Sequence, residues 1–234
     1  MEKLVYILWK PAGSSEPEFA RTLRLETAAR LGELGVKRLA LNIVDEEVAH
    51  TKDVRMTNFD PPMAAMVSFW LDDAEERAAL EAELVGVCSQ LAGYLVVESV
   101  PLVNTTHRTE PCQRTPGINV VACIERPASM DHSEWLGHWF GHHREVALET
   151  QCTYAYVRNV VVRHLTDNAP DWAGIVEEGF PAEAVTDPMV WYCTDGDQEK
   201  FKENLGRMME SVDAFLEVDR VESHPMSEYL MSDG

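Results

Sequence analysis

The stretch LVYILWKPA at residues 4–12 and the stretch VVACIERPA at residues 120–128 decide the fold of this chain of 234 residues. In each, an apolar run leads to a basic residue, a proline and an alanine, and the two prolines are 116 positions apart (127 − 11). Phe19 and Trp135 follow eight positions after these prolines. The ends agree as well, with VESVP at 97–101 and VESHP at 221–225. We interpret this as a duplicated domain, since solenoid repeats have periods of about 20–50 residues.

The residue pattern within each copy predicts the order β-α-β-β-α-β, which is that of a ferredoxin-like unit. In the first copy we expect strands at 3–9, 36–44, 63–71 and 94–100 and helices at 16–34 and 73–91. In the second we expect strands at 118–125, 152–164, 188–194 and 217–224 and helices at 131–150 and 197–216. The predicted domains are residues 1–102, a linker at 103–117, and residues 118–234. The predicted fold class is therefore α+β, with two ferredoxin-like units packed sheet to sheet as an α+β barrel.

The charge and the cysteines limit the partners and the compartment. A net charge of −20 at pH 7 argues against binding to nucleic acid or to an anionic membrane surface. No apolar run approaches the roughly 20 residues of a membrane helix, and the first residues do not resemble a signal peptide. The five cysteines form no CxxC pair, which favours reduced thiols over a disulfide framework or a zinc knuckle. We predict a cytoplasmic protein.

The densest group of reactive side chains is WLGHWFGHHREVA at residues 135–147. Helical spacing places Trp139 and His143 on the apolar face, and His138 and His142 on the polar face. His143 is either a buried histidine bonded within the core or an acid–base group in a pocket. The i, i+4 pair of His138 and His142 has no evident third ligand, so no metal site is predicted.

This helix resembles that of the EthD family, which belongs to the dimeric α+β barrel group. Members of the family read F-x-x-Y-W-x-x-H-H-x-P-L-A at this place, and the chain keeps Trp139, His142, His143 and Ala147. The strand YAYVRN at 154–159 and the DAF at 213–215 are also similar. The sequence departs from the family at Arg144-Glu145, where Ala-Pro is usual. The resemblance covers most of the second copy.

The resemblance implies an enzyme that performs acid–base chemistry on a small hydrophobic, aromatic substrate, as a lyase, isomerase or decarboxylase. No nucleotide-binding loop is found in the sequence, so no organic cofactor is expected. The proposed catalytic residues are His143, Tyr156 and Tyr154, with His143 as base or acid. A non-catalytic binding protein and a cofactor-free or haem oxygenase remain alternatives. A homodimer is left open.

The remaining candidate residues lie on the strand after this helix and on the segment that follows it. We predict that six side chains bind substrate: Trp139, Arg158, His164, Trp172, Glu178 and Phe180. About eight extra residues of the second copy fall within 165–187, and we predict that this segment caps the pocket. In the first copy the offset of 116 puts Thr27 at the place of His143 and Leu23 at that of Trp139. One site, formed mainly by the second copy, is therefore expected.

Overall fold

Eight strands form the centre of the structure, a computed structural model that describes residues 1–232. The last two residues of the predicted second copy, 233 and 234, lie outside the described part. The strands are β1 (Glu2–Trp9), β2 (Lys37–Ile43), β3 (Ala65–Leu71), β4 (Gln90–Leu102), β5 (Ile118–Ile124), β6 (Ala155–His164), β7 (Gly174–Phe180) and β8 (Glu222–Leu230). They close into one antiparallel barrel in the order β1-β3-β2-β8-β5-β7-β6-β4. The predicted α+β class and the barrel are confirmed.

Helices cover the outside of the barrel. They are α1 (16–33), α2 (a 3₁₀ turn Ala74–Arg77 followed by Ala78–Val85), α3 (132–150), α4 (Pro188–Trp191) and α5 (Gln198–Asp213). Short 3₁₀ turns occur at Glu46–Val54, Ala182–Val185 and Val218–Arg220. Within the described range, no helix is both long and apolar enough to cross a membrane.

Alternating side chains give each strand a lumen face and a helix face. Val121 and Cys123 of β5 point into the lumen, where they belong to one apolar cluster with Val5 and Ile7 of β1. Ile124 points the other way and packs in the cluster beneath α3 and α5. The two halves of the chain meet edge to edge, through β2 with β8 and through β4 with β6. The lumen core is therefore built from both halves.

Helices α1 and α3 share their local construction. Ser15 accepts a hydrogen bond from the Glu18 N–H at the start of α1, and Asp131 accepts one from the Glu134 N–H at the start of α3. Such caps satisfy the free N–H groups of a first helical turn. The middle of each helix widens into a π-helix, at Thr22–Thr27 and at His138–His143. The two caps (131 − 15) and the two π-helices (138 − 22) are separated by 116 residues, the spacing of the sequence repeat.

The predicted strand at 188–194 is wrong. The third strand of the second half is Gly174–Phe180, inside the segment that the sequence predicted as a cap. Its sequence GIVEEGF hides the strand pattern, because two charged residues are adjacent, Glu177 buried on the lumen face and Glu178 half-buried on the helix face. Residues 188–191 form a helical turn instead, which Asp187 caps by accepting a hydrogen bond from the Met189 N–H. The extra residues of the second half therefore follow the third strand, at 181–197.

The prediction that all cysteines are reduced is also wrong. A disulfide joins Cys152 to Cys193, with a Cα–Cα distance of 5.0 Å. Cys88, Cys112 and Cys123 are free. Spacing in the sequence gave no indication of the bond, because its partners are 41 residues apart and Cys193 lies in the segment whose structure was predicted wrongly.

Candidate functional site

A cavity of about 450 Å³ lies between the helix face of the second half of the barrel and the helices α3 and α5. The barrel lumen is filled, with Trp9, Trp172 and Tyr94 packed in its core. The cavity wall is mostly apolar and includes Val120, Ala122, Val176, Met208, Val212 and Phe215. A few polar groups in an apolar pocket are typical of small-molecule sites.

Trp139 is held in place by helix α3 and by a glycine on the sheet. Its indole lies against β7 at Gly174, where an added Cβ would come within 2.6 Å of the ring. The Trp139 Nε1–H donates a hydrogen bond to the Tyr156 hydroxyl at 3.1 Å. Both side chains line the cavity. Gly174 thus allows the close approach that brings Trp139 to Tyr156.

Glu178 supplies a carboxyl group with a raised pKa to the cavity wall. It lies on β7 beside Tyr156 of β6, with which it is paired in register. Burial without a compensating charge raises its pKa to about 7. Its Oε1 atom is buried and has no hydrogen-bond partner among the described residues. Because Glu178 as a whole is half-buried and lines the cavity, its carboxyl group is placed to meet a ligand there.

The Tyr156 hydroxyl is oriented by its neighbours. Because its oxygen accepts the Trp139 N–H, its own hydrogen is free to donate. Burial raises the pKa of Tyr156, and the Glu178 carboxylate raises it further, whereas the Trp139 hydrogen bond and the charge of Arg158 lower it. Tyr156 is therefore a neutral hydrogen-bond donor across the physiological pH range.

His143 faces the cavity from α3, as the sequence predicted for its helix face. Its Nδ1 lies 3.1 Å from the Ser211 hydroxyl on α5, and its ring is 4.7 Å from that of Phe215, centroid to centroid. Burial lowers the pKa of His143 to about 4, and the nearby His142 and Arg158 add to the shift. The imidazole is therefore neutral at pH 7. His142 is exposed.

Arg158 lies behind the cavity wall rather than on it. Its guanidinium stacks on Phe140 at 3.8 Å from the ring centroid and donates to the Ser99 hydroxyl at 3.2 Å. It is 6% exposed, and within residues 1–232 no carboxylate forms an ion pair with it. Such a buried, unpaired cation favours negative charge nearby. It acts on the cavity through Tyr156 and His143, whose pKa values it lowers.

Besides Arg158, four predicted site residues do not line the cavity. Tyr154 donates its hydroxyl to the Pro116 carbonyl at 2.9 Å and stacks on His107 at 3.8 Å. His164 is at the far end of β6, 3.7 Å from Asp171. Trp172 is in the lumen core, and Phe180 is buried at the end of β7, stacked on Trp191 at 4.0 Å.

The predicted cap at 165–187 is misplaced, because its middle, residues 174–180, is the strand β7. The segment that covers the cavity is 181–192, which contributes Ala184, Val185, Pro188, Trp191 and Tyr192 to the wall. The disulfide anchors this segment to the start of β6, where the Cys152 N–H also donates to the Trp191 carbonyl at 2.9 Å. The Asp187-Pro188 pair was the available sign of a helix start here.

The first half also contributes to the site, which the sequence did not predict. Val54 and Met56, from the connection between β2 and β3, are its two lining residues among those described. Met56 exchanges two backbone hydrogen bonds of 2.9 Å with Ser223 of β8. The Glu222 carboxylate accepts the Asn58 N–H, and its other oxygen is 3.3 Å from His224 Nε2. These contacts fix the connection against the mouth of the cavity.

Two aromatic rings fill the corresponding space in the first half. Tyr6 and Phe69 are fully buried there, with ring centroids 5.6 Å apart. The strand register shows which positions correspond. Tyr6 pairs with Val67 in the first half, and Ala122 pairs with Val176 in the second. Likewise, Leu4 pairs with Phe69, and Val120 pairs with Glu178. Ala122 and Glu178 therefore stand where the first half has two rings. This difference opens the cavity in the second half.

Comparisons with known proteins support the fold. No family model and no curated protein matches the chain. Among solved structures, the chain is similar to an anthrone oxidase-like protein, with a TM-score of 0.52, 10% identity, and coverage of 98% of this chain and 93% of the other. It is also similar to a candidate monooxygenase from Lactobacillus acidophilus NCFM (TM-score 0.48, 9% identity, 99% and 96% covered) and to a candidate chlorite dismutase (0.46, 9%, 98% and 94%). At 10% identity, the similarity to the anthrone oxidase-like protein is a similarity of fold. The last two, with TM-scores below 0.5, add nothing to it.

Proposed function

We propose that the chain is an enzyme that moves protons on a small hydrophobic, aromatic substrate, as a lyase, isomerase or decarboxylase does. The observation that carries the proposal is Glu178, an unpaired carboxyl buried in an apolar cavity with a pKa of about 7. A general acid–base group works best when its pKa is near the working pH. The proposal assigns to Glu178 the role that the sequence had suggested for His143.

The remaining polar groups suit the same step. The Glu178 carboxylate would take a proton from a carbon next to a carbonyl, and the C–H bonding electrons would move to the carbonyl oxygen. The Tyr156 hydroxyl would donate a hydrogen bond to that enolate oxygen, with the charge of Arg158 behind it. The protonated Glu178 would then return the proton to another carbon of the substrate. His143, neutral at pH 7, would act as a hydrogen-bonding wall group held by Ser211.

A haem does not fit this cavity well, although His143 is a candidate ligand on its wall. The described lining residues include no lysine or arginine, so the propionate groups of a haem would lack cationic partners there. They would instead enter a site whose buried acid, Glu178, has no compensating charge.

We also propose that the chain is a tandem duplication of a ferredoxin-like unit and that its second half belongs to the EthD-like proteins. The shared spacing of 116 residues in the caps and π-helices of α1 and α3 supports the duplication. The position of Trp139 and His143 on the cavity wall supports the second part, since these residues carry the resemblance.

Hydrogen exchange into 2-tetralone, an aromatic ketone with acidic C–H groups, tests the proposed reaction. In D₂O near neutral pD we expect the protein to accelerate exchange, and Glu178→Gln to lower the rate by about 10²–10⁴. Glu110→Gln, which removes an exposed carboxylate of the linker, serves as the charge-matched control and is expected to retain the rate. If the ketone binds but exchanges no faster than in buffer, the enzyme proposal fails and a binding protein is favoured.

A further inference from the structure

The rim of the cavity is apolar and exposed, unlike the solvent-facing surface expected of a protein with a net charge of −20. Val54 is 50% exposed, Met56 is 37% exposed and Met209 is 42% exposed, and all three line the cavity. Single exposed apolar residues are ordinary on protein surfaces. Three that line one cavity and also reach solvent give its entrance an apolar character, which is typical of a binding site.

The two sides of this rim come from different halves of the chain. Met209 is on α5, whereas Val54 and Met56 are on the β2–β3 connection of the first half. That connection has 21 residues, 44–64, where the β6–β7 connection of the second half has nine, 165–173. The longer connection reaches across the barrel end to the cavity of the other half. The first half, in which Tyr6 and Phe69 fill the space that corresponds to this cavity, thus supplies part of the entrance.

The connection is held at this position by buried groups. Besides the paired backbone bonds of Met56 and Ser223, Glu222 accepts the Asn58 N–H. Glu222 and His224 are 1% and 0% exposed, and their side chains are 3.3 Å apart. An apolar rim residue on a fixed backbone can contact a ligand without a large ordering cost. Methionine, which is flexible and polarisable, adapts to chains of different shape.

We propose that the natural ligand is an aromatic compound with an apolar tail, and that Met56 of the first half selects for the tail. The aromatic head lies at the cavity floor, with its oxygen near Glu178 and Tyr156, and the tail leaves through the rim between Met56 and Met209. The inference deepens the proposed function and rests on it for the placement of the head. It makes Met56 a specificity-determining residue for ligand length.

A homologous series of phenols tests this directly: 4-ethylphenol, 4-butylphenol, 4-hexylphenol and 4-octylphenol. Tryptophan fluorescence would report Kd for each, since Trp139 and Trp191 line the cavity. Full burial of a methylene contributes about 0.8 kcal/mol, or about fourfold in Kd, so a half-buried tail is expected to gain about twofold per methylene. For Met56→Ala we expect a Kd for 4-ethylphenol within about twofold of wild type. For 4-octylphenol we expect binding about three- to tenfold weaker.

Two further variants serve as controls for Met56→Ala. Met56→Leu keeps the apolar volume and is expected to retain the wild-type dependence on chain length. Leu230→Ala removes a side chain with the same exposure of 37% at a position away from this cavity, and is expected to change nothing. Equal weakening of all four phenols by Met56→Ala, or no weakening of any, would overturn the proposal. The binding measurement does not require chemistry, so Glu178→Gln can lose hydrogen exchange while the length dependence remains. The two proposals therefore fail separately.

Discussion

The pH dependence of stability gives a direct test of the buried Glu178. Its pKa is about 7 in the folded protein against an ordinary value of 4.5. Between these values the folded state binds the proton more tightly than the unfolded state, so this carboxyl lowers stability as the pH rises. The difference between the two pKa values (7 − 4.5) corresponds to a loss of about 3 kcal/mol above pH 7 and of about 1 kcal/mol at pH 5. Glutamine does not titrate, so Glu178→Gln escapes the loss.

We therefore expect the stability of Glu178→Gln relative to wild type to increase by about 2.5 kcal/mol from pH 5 to pH 8. Urea denaturation at several pH values measures it, with Glu110→Gln as background. Any constant cost of burying the amide cancels between the two pH values. His143 has the opposite effect, because its lowered pKa of about 4 makes stability rise from about pH 4 to 6.5, but it is present in both proteins and cancels. A difference that does not vary with pH would refute the assignment of Glu178 as a buried, unpaired acid.

Three further changes have distinct expected outcomes. Ala122→Tyr places a ring where the first half has Tyr6, so we expect the fold to persist by circular dichroism while 4-ethylphenol binding falls more than tenfold; full binding would mean that the ligand lies elsewhere. Trp172→Ala should cost about 3–5 kcal/mol in urea denaturation and leave the Kd for 4-ethylphenol unchanged, because Trp172 is in the lumen core; a changed Kd with unchanged stability would restore it as a cap residue. Replacing Cys152 and Cys193 by serine should lower stability by about 2–4 kcal/mol and weaken 4-ethylphenol binding about threefold as the wall loosens; lost stability with unchanged Kd would show that the wall does not depend on the disulfide.

The sequence predicted the elements whose signals are local. The strand β5 and the helix α3 lie within a residue or two of their predicted bounds, because an apolar run and a capped helical period do not depend on distant partners. The same period placed His143 on the inner face and His142 outside, which agrees with their positions in the structure. Trp139, Tyr156 and Glu178 were also predicted as site residues, and all three line the cavity.

The errors occurred where tertiary contacts override the local pattern. Glu177 and Glu178 suggested a surface loop, yet the lumen supplies Lys3, Asn42 and Asn159 as partners for Glu177. With that network in place, GIVEEGF can be a central strand. Trp172 was assigned to the cap because it lies among polar residues in the sequence, but the lumen stacks it on Trp9. The part played by Met56 could not be found at all, because its contact with Ser223 joins positions 167 residues apart (223 − 56).

The difference between the two halves explains why this cavity lies in the second half of the barrel. In the first half the space under α1 is closed by Leu23 on the helix and by Tyr6 and Phe69 on the sheet, all buried. Tyr6 donates its hydroxyl to Glu81 at 2.9 Å, so the ring also ties the sheet to α2. In the second half Ala122 and Glu178 replace the rings, which removes packing that large buried side chains normally supply. The second half thus has fewer core contacts and holds the Glu178 carboxyl in an open apolar space. The packed first half can stabilise the fold while the second half keeps that space for a ligand.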